Sequence, residues 1–293
     1  MGMTPAEFAV QMEDPDELLG RILAFADRTT GIDAVVQTGS RARRHQVDAF
    51  SDLDIELIGP GSAALVGRDD WPEQIASTLV SLHLTNEQDD APDWPTCLVV
   101  FARGRKLDFL LAGPERLDQM ARDGLDEYYR RGYLVHRDRT GATAALPPSN
   151  PTVPAWVPPT AKAFVATQRE FWFEATQVPV YLARGDLWPA MLRLHAMRTL
   201  LLPMLEWHAH ARSGEQVERW HNGHHIDEWL DPSLAKRLGE LFASCDPEDG
   251  ARALRACVSL YAEVARDVAT ALALPHLDLA ARIGAHITRV LAS

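Results

Sequence analysis

Two aspartates at the start of an apolar strand, Asp52 and Asp54, are the residues whose type and spacing are best suited to chemistry. Side chains at positions i and i+2 of a strand point to the same face, so the two carboxylates are predicted to project together, about 7 Å apart. A Gly-Ser turn, Gly39-Ser40, follows an earlier apolar run and is expected to expose backbone N–H groups beside them. This combination suits Mg²⁺ together with a nucleotide triphosphate.

A third carboxylate, Asp108, interrupts the apolar run 107–111. A buried and unpaired carboxylate is costly, and a metal ion shared with Asp52 and Asp54 would give Asp108 a partner. An Asp-x-Asp pair alone is more typical of a solvated strand end. The three carboxylates and the Gly-Ser turn together favour a metal site.

The first half of the chain mixes helices and strands, which predicts an α+β fold. Asp14 and Pro15 start a helix that Gly31 is expected to end. Further helices are predicted from Asp70 to about residue 82 and from 113 to 122. Strands are predicted over 32–37, 53–58 and 132–136, and a hairpin over 98–101 and 106–111 places Asp108 on a central strand beside Asp52 and Asp54.

The second half of the chain is predicted to be an all-helical bundle. Prolines recur between residues 141 and 159, which excludes a helix or a central strand there and indicates a linker. The predicted domains are 1–145, a proline-rich linker at 146–159, and 160–293. Helices are predicted at about 160–184, 187–212, 225–230, 232–244, 247–273 and 278–291.

Several stretches resemble the aminoglycoside 6-adenylyltransferase family of the nucleotidyltransferase superfamily, in the family's order along nearly the whole chain. They are Gly39-Ser40-Arg41, Asp52-Leu53-Asp54-Ile55, Lys106-Leu107-Asp108, Glu170-Phe171-Trp172, Ala183-Arg184-Gly185-Asp186-Leu187-Trp188, Met204-Leu205-Glu206-Trp207 and His225-Ile226-Asp227. The resemblance implies a polymerase-beta-like nucleotidyltransferase domain followed by a helical substrate-binding domain. It also implies transfer of AMP from ATP to an aminoglycoside, with the 6-hydroxyl of streptomycin as the expected acceptor.

Within this reading, Asp52, Asp54 and Asp108 hold Mg²⁺ and form the catalytic centre. Asp108 is the candidate for assisting the attacking hydroxyl, because of its expected proximity. The nucleotide phosphates are expected on Gly39 and Ser40. Arg41 or Arg43 is a further candidate for a phosphate contact, with a solvated loop as the alternative.

The helix predicted at 160–184 carries Glu170 and Glu174 one turn apart, beside Trp172. Carboxylates beside an aromatic ring can hold ammonium or guanidinium groups, and the resemblance supports a substrate wall here. The alternative is a surface helix face with a half-buried tryptophan. The sequence also departs from the family, because histidines His221 and His224 stand where relatives carry lysines.

The 293 residues carry a formal charge of −12, which gives no support to a nucleic-acid partner. An acidic surface would attract a polycationic aminoglycoside, but on charge alone ordinary solubility is the favoured explanation. The sequence shows no signal-peptide pattern and no apolar run of membrane-spanning length, so a cytoplasmic protein is expected. A monomer is expected in preference to an oligomer. The alternative functions are transfer to another small-molecule or protein hydroxyl, and a non-catalytic nucleotide-binding regulator.

Overall fold

The computed structural model describes residues 12–85, 94–150, 156–213 and 221–292. The chain divides into two compact units, Met1–Thr152 and Val153–Ser293. The first unit contains a mixed sheet with helices, and the second is helical, so the predicted α+β fold class with a helical C-terminal region is confirmed. Among the helices of the described residues, none combines the length and the apolar character needed to cross a membrane.

The first unit is built on a six-stranded sheet. Its helices are α1 (Pro15–Arg28), α2 (Gly39–Arg43), α3 (Glu115–Asp123) and α4 (Glu127–Arg131). Its strands are β1 (Ala34–Thr38), β2 (Leu53–Ile58), β3 (Thr78–Leu84), β4 (Thr96–Phe101), β5 (Lys106–Ala112) and β6 (Leu134–Asp138), in the order β3-β4-β5-β2-β1-β6. Strands β2 and β5 are parallel, and the other neighbours are antiparallel.

The alternation of side chains along β2 gives the sheet two different faces. Leu53, Ile55 and Leu57 belong to one apolar core, which is covered by α1. Asp54 and Glu56, at the intervening positions, project to the opposite face. On that face a smaller apolar core includes residues of α3, such as Leu117. The acidic side chains of β2 therefore lie on the side of the sheet that α3 and α4 cover only in part.

The structure corrects the helix predicted from Asp70 to residue 82. The segment forms a 3₁₀ turn at Pro72–Gln74 and continues as the edge strand β3, paired with β4. Trp71 is buried, with its indole N–H donating to the Leu65 carbonyl. Glu73 accepts the backbone N–H of Thr78, the first residue of β3. Pairing with β4 thus satisfies backbone groups that the predicted helix would have bonded internally.

Two smaller differences concern helix ends. Helix α1 ends at Arg28, before the predicted stop. Gly31 instead occupies a left-handed turn with φ of +82°, where a Cβ would stand 2.7 Å from the Gly61 nitrogen. Helix α4 was not predicted from the sequence, and its Asp126 cap accepts the Tyr129 N–H.

The second unit is a helical bundle. Its helices are α5 (Ala161–Arg184), α6 (Leu187–Ser213), α7 (Ile226–Trp229), α8 (Pro232–Ala235), α9 (Pro247–Leu272) and α10 (Ala280–Leu291). The core contains a stacked aromatic pair, Phe171 and Tyr261, with ring centroids 3.5 Å apart. Helix α9 contributes the longest buried stripe of this unit.

The helix predicted at 232–244 is wrong, because α8 ends at Ala235 and a separate 3₁₀ turn covers Leu238–Leu241. The carbonyls of this segment bond to arginines from other helices. Arg198 donates to the Leu241 carbonyl, and Arg252 donates to the carbonyls of Glu240 and Phe242. Side-chain donors therefore take over acceptors that a continuous helix would have used itself.

Candidate active site

The three predicted aspartates converge at one place on the sheet. Parallel pairing of β2 and β5 sets Asp54 directly beside Asp108. Asp52 precedes β2 by one residue and lies on the same face as Asp54. One carboxylate oxygen from each of the three residues lies within 4.8 Å of the others. The sheet thus brings together residues that are far apart in the sequence.

Gly39 is required at its position because Asp54 fills the space beside it. Gly39 has φ of +73°, and a Cβ built there would lie 2.7 Å from the Asp54 Cγ, closer than real Cβ contacts permit. Glycine alone meets both conditions without strain. The Gly-Ser turn at Gly39 and strand β2 at Asp54 are therefore packed directly against each other.

A lysine lies within the acidic cluster. The Lys106 ammonium donates to Asp52 Oδ2 at 2.9 Å and to Asp108 Oδ2 at 2.8 Å, and it lies 2.6 Å from Asp108 Oδ1. Lys106 and Asp108 are two residues apart on β5 and so share a face of the sheet. One positive charge therefore bridges two of the three carboxylates.

The cluster raises the pKa of its most enclosed member. Burial, and then the neighbouring charges of Asp52 and Asp108, raise the pKa of Asp54 to about 7. Burial is also the main cause of the raised pKa of Asp108, and the Lys106 hydrogen bond opposes it. Three carboxylates at this spacing need positive charge nearby, and Lys106 supplies only part of it.

The donor set fits a hard divalent cation. Magnesium takes oxygen ligands, and the site offers three carboxylates, from Asp54 on β2, Asp108 on β5 and Asp52 just before β2. Carboxylates at the ends of neighbouring strands are held by the sheet's own hydrogen bonds and so need little rearrangement to bind an ion. Asp52, Asp54 and Asp108 are accordingly the residues that would hold Mg²⁺.

Arg41 and Arg43, predicted as phosphate contacts, have backbone partners in the structure. The Arg41 Nε donates to the carbonyls of Ser51 and Asp52 at 3.0 and 3.1 Å. The Arg43 Nε donates to the Gly39 carbonyl at 3.2 Å. Arg41 thus fixes the loop that leads into β2, and the phosphate roles of Gly39, Ser40, Arg41 and Arg43 stay predictions.

A cavity of about 480 Å³ adjoins the aspartates within the first unit. Asp54 and Asp108 line this cavity, and Asp123 and Glu127 contribute further carboxylates to its lining. The exposed Tyr128 ring also lines it. The charged residues of the lining are six carboxylates and one arginine, a balance that favours a cationic group beside them.

One side of this cavity is held by a buried ion-pair network. Arg116 of α3 donates to both carboxylate oxygens of Glu56, at 3.1 and 3.0 Å, and also bonds Asp126. The Tyr129 hydroxyl donates to Glu56 at 2.9 Å. Glu56 is two residues beyond Asp54 on the same face of β2, so the network fixes α3 and α4 against the strand that carries the aspartates.

The residues predicted as a substrate wall have unequal environments in the second unit. Glu170 is exposed and lines a surface groove of about 700 Å³ with Phe173 and His195. Glu174 lines the same groove but accepts two hydrogen bonds from Arg193, at 2.7 and 2.9 Å.

Trp172 is only 2% exposed and packs against Phe171 and Tyr261 in the core. Its burial gives a ligand no ring face to contact, which corrects the expected role of Trp172 in the wall. His224, one of the histidines in place of family lysines, is exposed. The side chain of His221 lies outside the described part of the chain.

The sequence alone did not single out Lys106, Glu56 or Arg116. The i, i+2 spacing of Lys106 from Asp108, and of Glu56 from Asp54, was a usable signal that each shares a face with an aspartate. Nothing in the sequence pattern identified Arg116 as the partner of Glu56, because that contact depends on where α3 packs.

A mixed sheet that carries three carboxylates on parallel neighbouring strands, beside a Gly-Ser turn, is the arrangement of a nucleotidyltransferase. The comparisons with known proteins narrow this class. The chain belongs to the streptomycin adenylyltransferase family, whose family model matches residues 12–290. The protein is therefore an enzyme, a nucleotidyltransferase of the aminoglycoside adenylyltransferase type.

One relative and one solved structure, both from Bacillus subtilis, are similar to this chain. An aminoglycoside 6-adenylyltransferase of strain 168 is 25% identical over 275 residues, which span 91% of this chain and 94% of the relative. The crystal structure of an aminoglycoside 6-adenyltransferase is 19% identical in sequence, with a TM-score of 0.46. The alignment covers 96% of this chain and 100% of the chain in that structure.

Proposed function

We propose that the protein transfers AMP from ATP to a hydroxyl of an aminoglycoside, with the 6-hydroxyl of streptomycin as the expected acceptor, and so inactivates the antibiotic. The observation that carries the proposal is the convergence of Asp52, Asp54 and Asp108 on adjacent parallel strands. Family membership supports the same reaction, and the name of the 25% identical relative supports the 6-position.

In this reaction the acceptor hydroxyl oxygen attacks the α-phosphorus of ATP, the bond to the β-phosphate oxygen breaks, and pyrophosphate leaves. Mg²⁺ held by Asp52, Asp54 and Asp108 would neutralise charge on the phosphates. Asp108 is the proposed acceptor of the hydroxyl proton, because its carboxylate lines the cavity beside the proposed metal site. Gly39 and Ser40 are the proposed phosphate-binding turn.

Carboxylates that line a pocket in each unit support a cationic acceptor. Asp123 and Glu127 line the cavity beside the aspartates. In the helical unit Glu170 lines the groove with an exposed carboxylate, whereas Glu174 beside it is already bonded by Arg193. We assign the acceptor's ammonium or guanidinium groups to such carboxylates, since charge-assisted hydrogen bonds give both attraction and orientation.

The test is pyrophosphate release from ATP and Mg²⁺ with streptomycin, spectinomycin, kanamycin, a lincosamide or no acceptor. We expect release only with streptomycin, and a product heavier by one AMP in mass spectrometry. Asp54→Asn is the matched variant and should abolish transfer while the circular dichroism spectrum is retained. Transfer by Asp54→Asn at the wild-type rate would refute the catalytic assignment.

Other acceptor results separate the remaining functions. Release with another compound of the panel would keep the chemistry and change the acceptor. ATP binding without release for any acceptor would favour a nucleotide-binding regulator or an acceptor outside the panel. The intact set of three carboxylates argues against the regulator, since a non-catalytic protein has no need to keep them together.

A further inference from the structure

Lys106 is one of only three lysines in the chain, and it is the one that lies in the acidic cluster. Its ammonium contacts Asp52 Oδ2 at 2.9 Å and both carboxylate oxygens of Asp108, the nearer at 2.6 Å. The same carboxylates would hold the divalent cation. An ammonium group and a metal ion therefore compete for the same carboxylate oxygens, and the binding of one weakens the binding of the other.

We propose that Lys106 is an internal cation that occupies the acidic site in the metal-free protein and yields its place when a divalent cation binds. The proposal rests on the metal-binding role of the aspartates in the proposed function. It adds a residue that competes with the metal, rather than one that binds it.

The setting of Lys106 permits this exchange. Its backbone is fixed in β5 by pairing with Val100 of β4, so the ammonium stays within reach of the site. Its side chain is 43% exposed, and a lysine stem is long and flexible, so the ammonium can turn toward solvent. Arginine would hold both carboxylates in a rigid bidentate fork and would leave less readily.

The exchange has a structural benefit. Three carboxylates within 4.8 Å repel one another, and without a cation the strand ends that carry them would be pushed apart. Lys106 keeps Asp52 and Asp108 in place before the metal arrives. The cost is a weaker metal affinity than the three carboxylates alone would give.

The first test is Mn²⁺ binding to the metal-free protein, followed by electron paramagnetic resonance without nucleotide. Lys106→Met keeps the stem and removes the charge, and Lys162→Met, at an exposed position of α5, is the matched control. We expect Lys106→Met to bind Mn²⁺ at least tenfold more tightly than wild type, about 1.4 kcal/mol. Lys162→Met should bind like wild type.

Equal or weaker Mn²⁺ binding by Lys106→Met would overturn the proposal, because removal of a competing ammonium group must strengthen the binding of the metal. If wild type binds no Mn²⁺ and Lys106→Met also binds none, the metal assignment fails as well. If wild type binds Mn²⁺ and Lys106→Met does not bind more tightly, only the role of Lys106 fails. The two failures are therefore distinguishable.

A second test needs no variant. Wild-type protein is labelled with an amine-reactive reagent, with and without saturating Mn²⁺, and each lysine is quantified by peptide mass spectrometry. Lys162 and Lys236 are exposed and serve as internal references. We expect Mn²⁺ to raise the labelling of Lys106 at least threefold relative to both references. An unchanged or lower ratio would show that the ammonium stays bound to the carboxylates and would overturn the proposal.

Discussion

Gly39 and Asp54 are packed so closely that no side chain fits between them. A Cβ on Gly39 would lie 2.7 Å from the Asp54 Cγ and nearer still to one of its oxygens. The turn after β1 and the aspartate on β2 therefore set each other's positions. Strand β1 pairs with β2 so that Thr38, the residue before Gly39, lies opposite Asp54.

Gly39→Ala is expected to lower AMP transfer at least about 100-fold, because the added methyl group must displace the Asp54 carboxylate. The control is Gly67→Ala. Gly67 has a similar φ of +70° but nothing within 4 Å of its Cβ position. Both variants bear the backbone strain of alanine in the left-handed region, about 1–2 kcal/mol, but only Gly39→Ala should lose transfer. Equal transfer by the two variants would exclude the steric explanation.

The loop that leads to Asp52 is predicted to be sensitive to acid. Asp48 accepts hydrogen bonds from the N–H groups of Phe50 and Ser51 and from the Ser51 hydroxyl. Burial alone would raise the pKa of Asp48, but these hydrogen bonds outweigh it and hold the pKa below its usual value of 3.8. A lowered pKa stabilises the folded state above pH 3.8, and this stabilisation is lost as the pH falls through the folded pKa.

Asp48→Asn should therefore be less stable than wild type at pH 7, and the difference should shrink below pH 3.8. The measurement is the thermal unfolding midpoint of both proteins from pH 3 to pH 7. A difference that stays constant over this range would show that the Asp48 charge has no part in the loop. The hydrogen exchange of the Phe50 and Ser51 amides would locate the effect.

The ion pair between Glu56 and Arg116 is expected to be a strong determinant of stability. Arg116→Met leaves the Glu56 carboxylate buried without its bidentate partner, and the expected loss is about 3–5 kcal/mol. The measurement is urea unfolding, followed by the signal of the first unit. In Glu56→Gln/Arg116→Met no charge is left unpaired at Glu56, so the double variant should lose less than the sum of the two single variants.

A surface pair is the control for this cycle. Arg68 and Asp70 also form a double contact, but both side chains are more than half exposed. Asp70→Asn should leave the unfolding midpoint unchanged within error. Additive losses at Glu56 and Arg116 would mean that the two residues do not act as a pair.

Glu170 and Glu174 should respond differently to loss of charge. Glu170→Gln is expected to raise the KM for the aminoglycoside roughly two- to fivefold, the range of one exposed ion pair, with the KM for ATP unchanged. Glu174→Gln instead leaves Arg193 without a charged partner and should lower the thermal midpoint. An unchanged aminoglycoside KM in Glu170→Gln would remove this groove from the proposed acceptor site.

Much of the first unit could be predicted from local pattern. The alternation in β2 and the hairpin of β4 and β5 were sufficient to place Asp108 beside Asp54. The helix predicted over this segment rests on the start Asp70-Trp71-Pro72-Glu73 alone, whereas Leu79, Val80 and Leu82 of β3 are more than half exposed at the sheet edge. Only the pairing partner decides between the two structures.

Tertiary packing explains the remaining errors. Trp172 and Glu170 lie on one helix, and the sequence does not say which face the bundle buries, so the burial of Trp172 was not foreseen. The contact of Lys106 with Asp52 needs the register between β2 and β5. Local pattern can place two strands side by side, but which residue of β5 contacts Asp52 can be assigned only when that register is known.

The parallel pairing of β2 and β5 has a consequence for how the active centre forms during folding. Lys106 and Asp52 are 54 residues apart along the chain, with β3 and β4 between them. A nascent chain that includes β2 but not yet β5 contains Asp52 and Asp54 but neither Lys106 nor Asp108. Assembly of the active centre therefore requires non-local strand pairing, which is intrinsically slower than the closing of a hairpin.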